Sequence, residues 1–136
     1  MWRAMSERFQ QMELHAELVL TQFGRRSHPL TGQGPPSFRT APRPHERDVS
    51  LLAGRLTVRE AAMAVRHGRR EFFPWDAVRY TTVGCLRDAG FLVQSTPSRM
   101  IPNHISVEYD GHWTDDVVKR FDHCFDQPAG GGGGHG

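Results

Sequence analysis

The sequence predicts an α+β domain: a small mixed or antiparallel sheet packed by about three helices as a single pair of layers. Three observations predict it. His104-Ile105-Ser106-Val107-Glu108-Tyr109-Asp110 alternates polar and apolar without a break, the pattern of a half-buried strand. Thr57 and Glu60 stand at capping-box spacing just before the apolar Ala61, Ala62 and Val65, which is how a short helix begins. The chain has 136 residues, one domain's worth, with 38% hydrophobic and 24% charged residues, fractions that suit a globular core.

The elements follow in order. Trp2, Met5, Phe9, Met12, Ala16, Val19 and Phe23 recur at steps of three and four, a helical stripe. Leu18 to Phe23 also reads as a short strand, so the division is an N-terminal helix or extension over 1–17 and a strand from 18. Residues 24–47 carry Pro29, Gly32, Gly34, Pro35, Pro36, Pro42 and Pro44, and read as one long connection without regular structure. Val49 to Leu52 is a candidate strand ended by Gly54. The capped helix runs over Thr57–His67 and stops at Gly68. Phe72-Phe73-Pro74-Trp75 is an aromatic turn. Ala77 to Val83 is rich in β-branched and aromatic residues and predicts a strand. Gly84 to Ala89 gives a helical turn or two, and Phe91 to Ser95 a strand that Pro97 ends. In the strand at His104, Ile105, Val107 and Tyr109 face the core, while His104, Ser106, Glu108 and Asp110 share the other face. The last helix has Thr114 as N-cap, Asp115 and Asp116 in its first turn, and Val117, Val118, Phe121, Cys124 and Phe125 on its buried side. The single domain therefore spans 18–126, and 127–136, with its run of glycines, reads as a disordered tail.

Composition excludes several classes. The formal net charge is +2 with the basic residues scattered, so the charge balance does not support a nucleic-acid partner, though it does not forbid one. The acidic residues Glu7, Glu13 and Glu17 leave no apolar leader, and no run is long enough to span a bilayer, so a cytoplasmic protein without membrane contact is expected. Cys85 and Cys124 form no zinc spacing and read as buried, reduced thiols. No metal and no cofactor is expected.

His104 leads the candidate site. A histidine opening a strand beside carboxylates suits general acid–base work, with Glu108 on the same face. A solvated polar face and a metal held through His104, Glu108, Asp110 and His112 are the competing readings of that pattern. Arg39 is the candidate phosphate binder, and Arg43, Arg47 and Asp48 form the candidate binding cluster at the end of the proline-rich connection. A solvated loop is the better reading of those charges, since Glu46 and Asp48 dilute them.

Several phrases resemble a poorly characterised group of small bacterial α+β proteins of unknown function. They are Phe38-Arg39-Thr40-Ala41-Pro42, Asp48-Val49-Ser50, Thr57-Val58-Arg59-Glu60-Ala61-Ala62, Thr82-Val83-Gly84-Cys85 and Pro102-Asn103-His104-Ile105. The group's glutamate before the cysteine is absent, and Thr40 stands where it has proline. The resemblance implies the fold and a bacterial source and transfers no chemistry.

Three functions compete. The expected one is a protein-binding accessory or regulatory module, of the kind found in toxin–antitoxin or phage-defence systems, with a protein partner. The second is a small enzyme acting on a nucleotide or nucleic acid, with His104 as acid or base and Arg39 on phosphate; it requires the loop at Arg39 to fold over the His104 face. The third parses Asp76–Ala89 as the recognition helix of a winged-helix DNA-binding protein presenting Arg79, Thr81 and Arg87.

Overall fold

A single antiparallel sheet of six strands carries the molecule. The computed structural model describes residues 13–28, 33–66, 73 and 75–125. The predicted stripe before Glu13 and the tail after Phe125 lie outside them.

Strand β1 (Val19–His28) is the axis of the sheet. One of its edges pairs with β4 (Asp76–Thr82) over the whole of Val19–Arg25. The other edge is shared. Leu20 and Thr21 pair with β3 (Asp48–Ala53), whereas Arg25, Arg26 and His28 pair with β2 (Gln33–Ser37). The sheet therefore forks at Gln22–Gly24. Beyond β3 come β6 (His104–Glu108) and β5 (Leu92–Ser95), each antiparallel to its neighbour.

The hairpin of β1 and β2 occupies part of what reads in the sequence as an irregular connection. Pro35 and Pro36 do not prevent it, because β2 borders only β1, and an edge strand tolerates residues that cannot donate. Gly24 is needed there by close approach. A Cβ on it would stand 2.4 Å from the Ser37 carbonyl oxygen and 2.5 Å from the Phe38 ring. The glycine thus lets the returning chain lie directly on β1.

The alternation of each strand divides the core into two clusters. On one face Leu20, Val49, Leu51, Val93, Ile105 and Val107 pack against α2 (Val83–Asp88) and α3 (Asp115–His123). Phe121 of α3 is fully buried and meets Phe91, Trp113 and Phe125 edge-on or tilted. On the opposite face Leu52, Val78 and Phe23 pack against α1 (Val58–Val65). Ala61 and Ala62 are the buried residues of that helix, and their small side chains let it lie close to the sheet. Both bonds of its capping box are made: Thr57 Oγ1 accepts from the Glu60 amide at 3.1 Å, and Glu60 accepts from the Thr57 amide at 2.8 Å.

Asp76–Thr82 is strand, so the winged-helix parse fails where it needs a recognition helix. The predicted strands at 77–83, 91–95 and 104–110 and the helices at 57–67, 84–89 and 114 onward are present with ends shifted by up to two residues.

Candidate functional site

The fork opens a cleft of about 290 Å³ between β1 and β3. Its apolar lining includes Phe23, Leu52, Val65 and Ile101. Its polar lining includes Arg39, Arg43, Glu46, Asp48, Ser50 and His104. Arg39 and His104 therefore line one cleft.

His104 stands at the start of β6, opposite Leu52 of β3. Its Nε2 is 2.9 Å from Ser50 Oγ, and its Nδ1 is 2.8 Å from Thr96 Oγ1. Thr96 Oγ1 in turn lies 2.9 Å from Ser106 Oγ. The alternation of β3 places Ser50 on the same face as Asp48 and Leu52, and its side chain is exposed. The imidazole thus has a hydroxyl on each nitrogen and, among the described residues, no carboxylate on either. With the ring proton on Nδ1 and donated to Thr96, Nε2 accepts from the Ser50 hydroxyl, the arrangement of a base addressing a nucleophile. A threonine in the orienting position fixes the ring but brings no negative charge to stabilise the imidazolium.

Glu108 lies four residues further along β6 and faces a second hollow, of about 400 Å³, with Arg47, Asp110, His112 and Trp113. The candidate residues are therefore split. His104, Arg39, Arg43 and Asp48 line the fork cleft; Glu108 and Arg47 line the second hollow; Glu46 borders both. Asp48 and Glu108 are cross-strand partners, so the start of β3 is the ridge between the two. Among the described residues, no group of three or more His, Cys, Asp and Glu side chains is placed to hold a metal ion.

The loop is held over the cleft by a buried polar chain. Gln22 is 2% exposed, and its Nε2 donates to the Arg39 carbonyl at 2.6 Å. Its Oε1 accepts from Arg79 Nε at 2.7 Å. Arg79 is also buried, with its guanidinium between the Phe38 ring at 4.7 Å and the Phe125 ring at 4.0 Å. Its Nη1 donates to Asp122 of α3, and its Nη2 has no hydrogen-bond partner among the described residues. Burial lowers the Arg79 pKa from its ordinary value, against the opposing pull of Asp122. Arg79, which the winged-helix parse would give to a nucleic acid, is instead the pin between loop, sheet and α3.

The cysteines also differ from expectation. Cys85 is exposed, Cys124 is half-buried, and both are free. Burial, with the neighbouring Cys85 thiol second, pushes the Cys124 thiol up to about 12.

Sequence reasoning passes over Ser50, Thr96 and Gln22, and gives Arg79 a different role. Ser50 was within reach, since it shares a face with Asp48 and Leu52 by simple alternation. The other contacts depend on pairing between distant segments. Among the described residues, no helix is long and apolar enough to cross a membrane. No family model, no curated protein and no solved structure matches the chain.

Proposed function

We propose that this chain is a small enzyme acting on a phosphate-bearing substrate of the nucleotide class, bound in the fork cleft. One observation carries the reading: Ser50 Oγ lies 2.9 Å from His104 Nε2 on the wall of a cleft that Arg39 and Arg43 also line. Guanidinium forks suit phosphate oxygens. Glu46 and Asp48 balance the two arginines, so recognition rests on placed donors rather than on a broad positive field. The apolar lining residues Phe23, Val65 and Ile101 offer a surface for a base or another flat apolar group. His104 takes the proton of the Ser50 hydroxyl, or of a water at the same point, as that oxygen bonds to phosphorus, and passes it to the ester oxygen that leaves as the old phosphorus–oxygen bond breaks.

The test is calorimetric titration with a panel of nucleoside mono- and diphosphates, together with turnover of p-nitrophenyl phosphate esters. Arg39→Ala and Arg43→Ala should each weaken binding about tenfold or more, the loss of roughly 1.4 kcal/mol. His104→Ala should keep binding and lose turnover. No binding by any member of the panel, or equal binding by the arginine variants, defeats the proposal.

Protein docking is the second reading. It draws on Leu92, which is 50% exposed on β5, the last strand of the sheet, beside the hollow at Trp113. A stoichiometric protein partner lost on Leu92→Asp and unaffected by His104→Ala would favour it.

A further inference from the structure

We propose that Cys85 and Cys124 are a modification site, forming a reversible disulfide that staples the end of α3 to the start of α2. The two residues are 39 apart in sequence, yet each thiol points at the other residue's backbone. Cys85 Sγ is 3.7 Å from the Cys124 carbonyl oxygen, and Cys124 Sγ is 3.5 Å from the Cys85 carbonyl oxygen. The reciprocal contact brings the two residues together across the junction of α2 and α3.

Local structure fixes both partners. Cys85 is held in the first turn of α2, where its amide donates to the Thr82 cap at 3.1 Å. Cys124 is the C-cap of α3, and its carbonyl also accepts from Thr81 Oγ1 at 2.7 Å. Thr81 and Thr82 are adjacent on β4, so one strand end aligns both cysteines.

The oxidant is a low-molecular-weight disulfide of the glutathione class. Cys85 is the exposed thiol and enters first. Its thiolate attacks one sulfur of the oxidant, forming a mixed disulfide and releasing one thiolate. Capping Cys85 removes the neighbouring thiol that opposes ionisation of Cys124, whose proton passes to solvent as its sulfur attacks Cys85 Sγ and releases the second thiolate. Two electrons pass from the cysteine pair to the oxidant, and two small thiols leave. The pair is then a staple that opens when the thiol pool is reducing. Reversible pairs of this kind are the form in which disulfides occur in reducing compartments.

The staple acts on the end of α3, which supplies Asp122 and Phe125 to Arg79. The proposal stands apart from the cleft chemistry and does not depend on it.

The experiment uses the full chain, reduced and then exposed to oxidised glutathione under native conditions, with iodoacetamide trapping and intact-mass measurement. The expected product is a monomer about 2 Da lighter than the reduced chain, carrying no alkyl label and restored by dithiothreitol. Non-reducing digestion should give one linked peptide containing Cys85 and Cys124. Cys124→Ser should stop at a single glutathione adduct on Cys85. Glutathione on both cysteines at once, a linked dimer as the main product, or an internal disulfide that forms only in urea would each overturn the proposal.

Discussion

Replacing Gln22 by leucine tests whether the buried polar chain is organised as its geometry indicates. The two side chains are close in volume, so packing changes little. The amide is lost from a site 2% exposed, and with it the bond to Arg79 Nε at 2.7 Å. A hydrogen bond to a charged group is worth about 1.5–3 kcal/mol. Arg79 already has an unpartnered Nη2, so the variant leaves a buried cation short of two bonds rather than one. The Arg39 carbonyl lies on an exposed residue and turns to water at little cost. The net expectation is a loss of about 2 kcal/mol. Arg79→Met added to Gln22→Leu removes the stranded cation and leaves Asp122, whose side chain is 49% exposed, to solvent. The double variant should recover to within about 1 kcal/mol of wild type, since an apolar replacement of a whole buried network is close to neutral. Urea titration followed by tryptophan fluorescence and circular dichroism gives both numbers from the midpoints at unchanged slope. A Gln22→Leu chain as stable as wild type, or a double variant no better than the single, would refute the reasoning.

Three further outcomes follow from the same structure. Asp76 is almost wholly buried and accepts from Arg66 at 2.7 and 2.9 Å and from the Phe73 amide at 2.7 Å; Asp76→Asn should cost about 3 kcal/mol in the same titration. Gly24→Ala places a methyl group against the Ser37 carbonyl and the Phe38 ring, and should shift the amide resonances of residues 36–39 while those of α1 and α2 hold still. Cys124 keeps its proton in the folded chain up to about 12 against an ordinary 9.0, so its stabilising contribution is full below pH 9.0 and falls away as pH rises toward 12. Cys124→Ala should therefore flatten the fall of the urea midpoint across that alkaline range.

The helix at Thr57 was legible because its signal is local: cap, acid and small apolar face all lie within six residues. Strand β4 was legible because Val78, Tyr80, Thr81 and Thr82 fit a pleated surface and resist a helix. Strand β2 was not, because Pro35 and Pro36 argue against pairing in general, and only its position on the edge of β1 removes the objection. His104 was singled out from strand alternation, and the side chains that stand beside it were not. Alternation puts Glu108 on the same face, roughly 13 Å along the strand at about 3.3 Å per residue. What stands beside the imidazole is set by the register of β3 on β6 and by the chain just past β5, which bring Ser50 and Thr96 to it. Register between segments 54 residues apart is invisible to a local pattern. The cysteines were misjudged for the same reason, since nothing near Cys85 announces the end of α3.

The fork explains why a polar chain occupies the middle of the sheet at all. Where β3 leaves β1, no neighbouring strand continues the ladder, and the loop at Phe38 and Arg39 fills the space instead. An apolar residue at position 22 would seal the core as well as glutamine does, but it would give that loop nothing to hold. Gln22 ties its backbone, and Arg79 ties Phe38 by its ring and α3 by Asp122. Stability and placement of Arg39 are thus separable, and the double variant at 22 and 79 separates them. It should keep its urea midpoint and lose the tether, so nucleotide binding should fall without unfolding. Equal binding by that variant would mean that Arg39 is positioned by the Pro42–Pro44 segment alone, and that the buried arginine serves only to join α3 to the sheet.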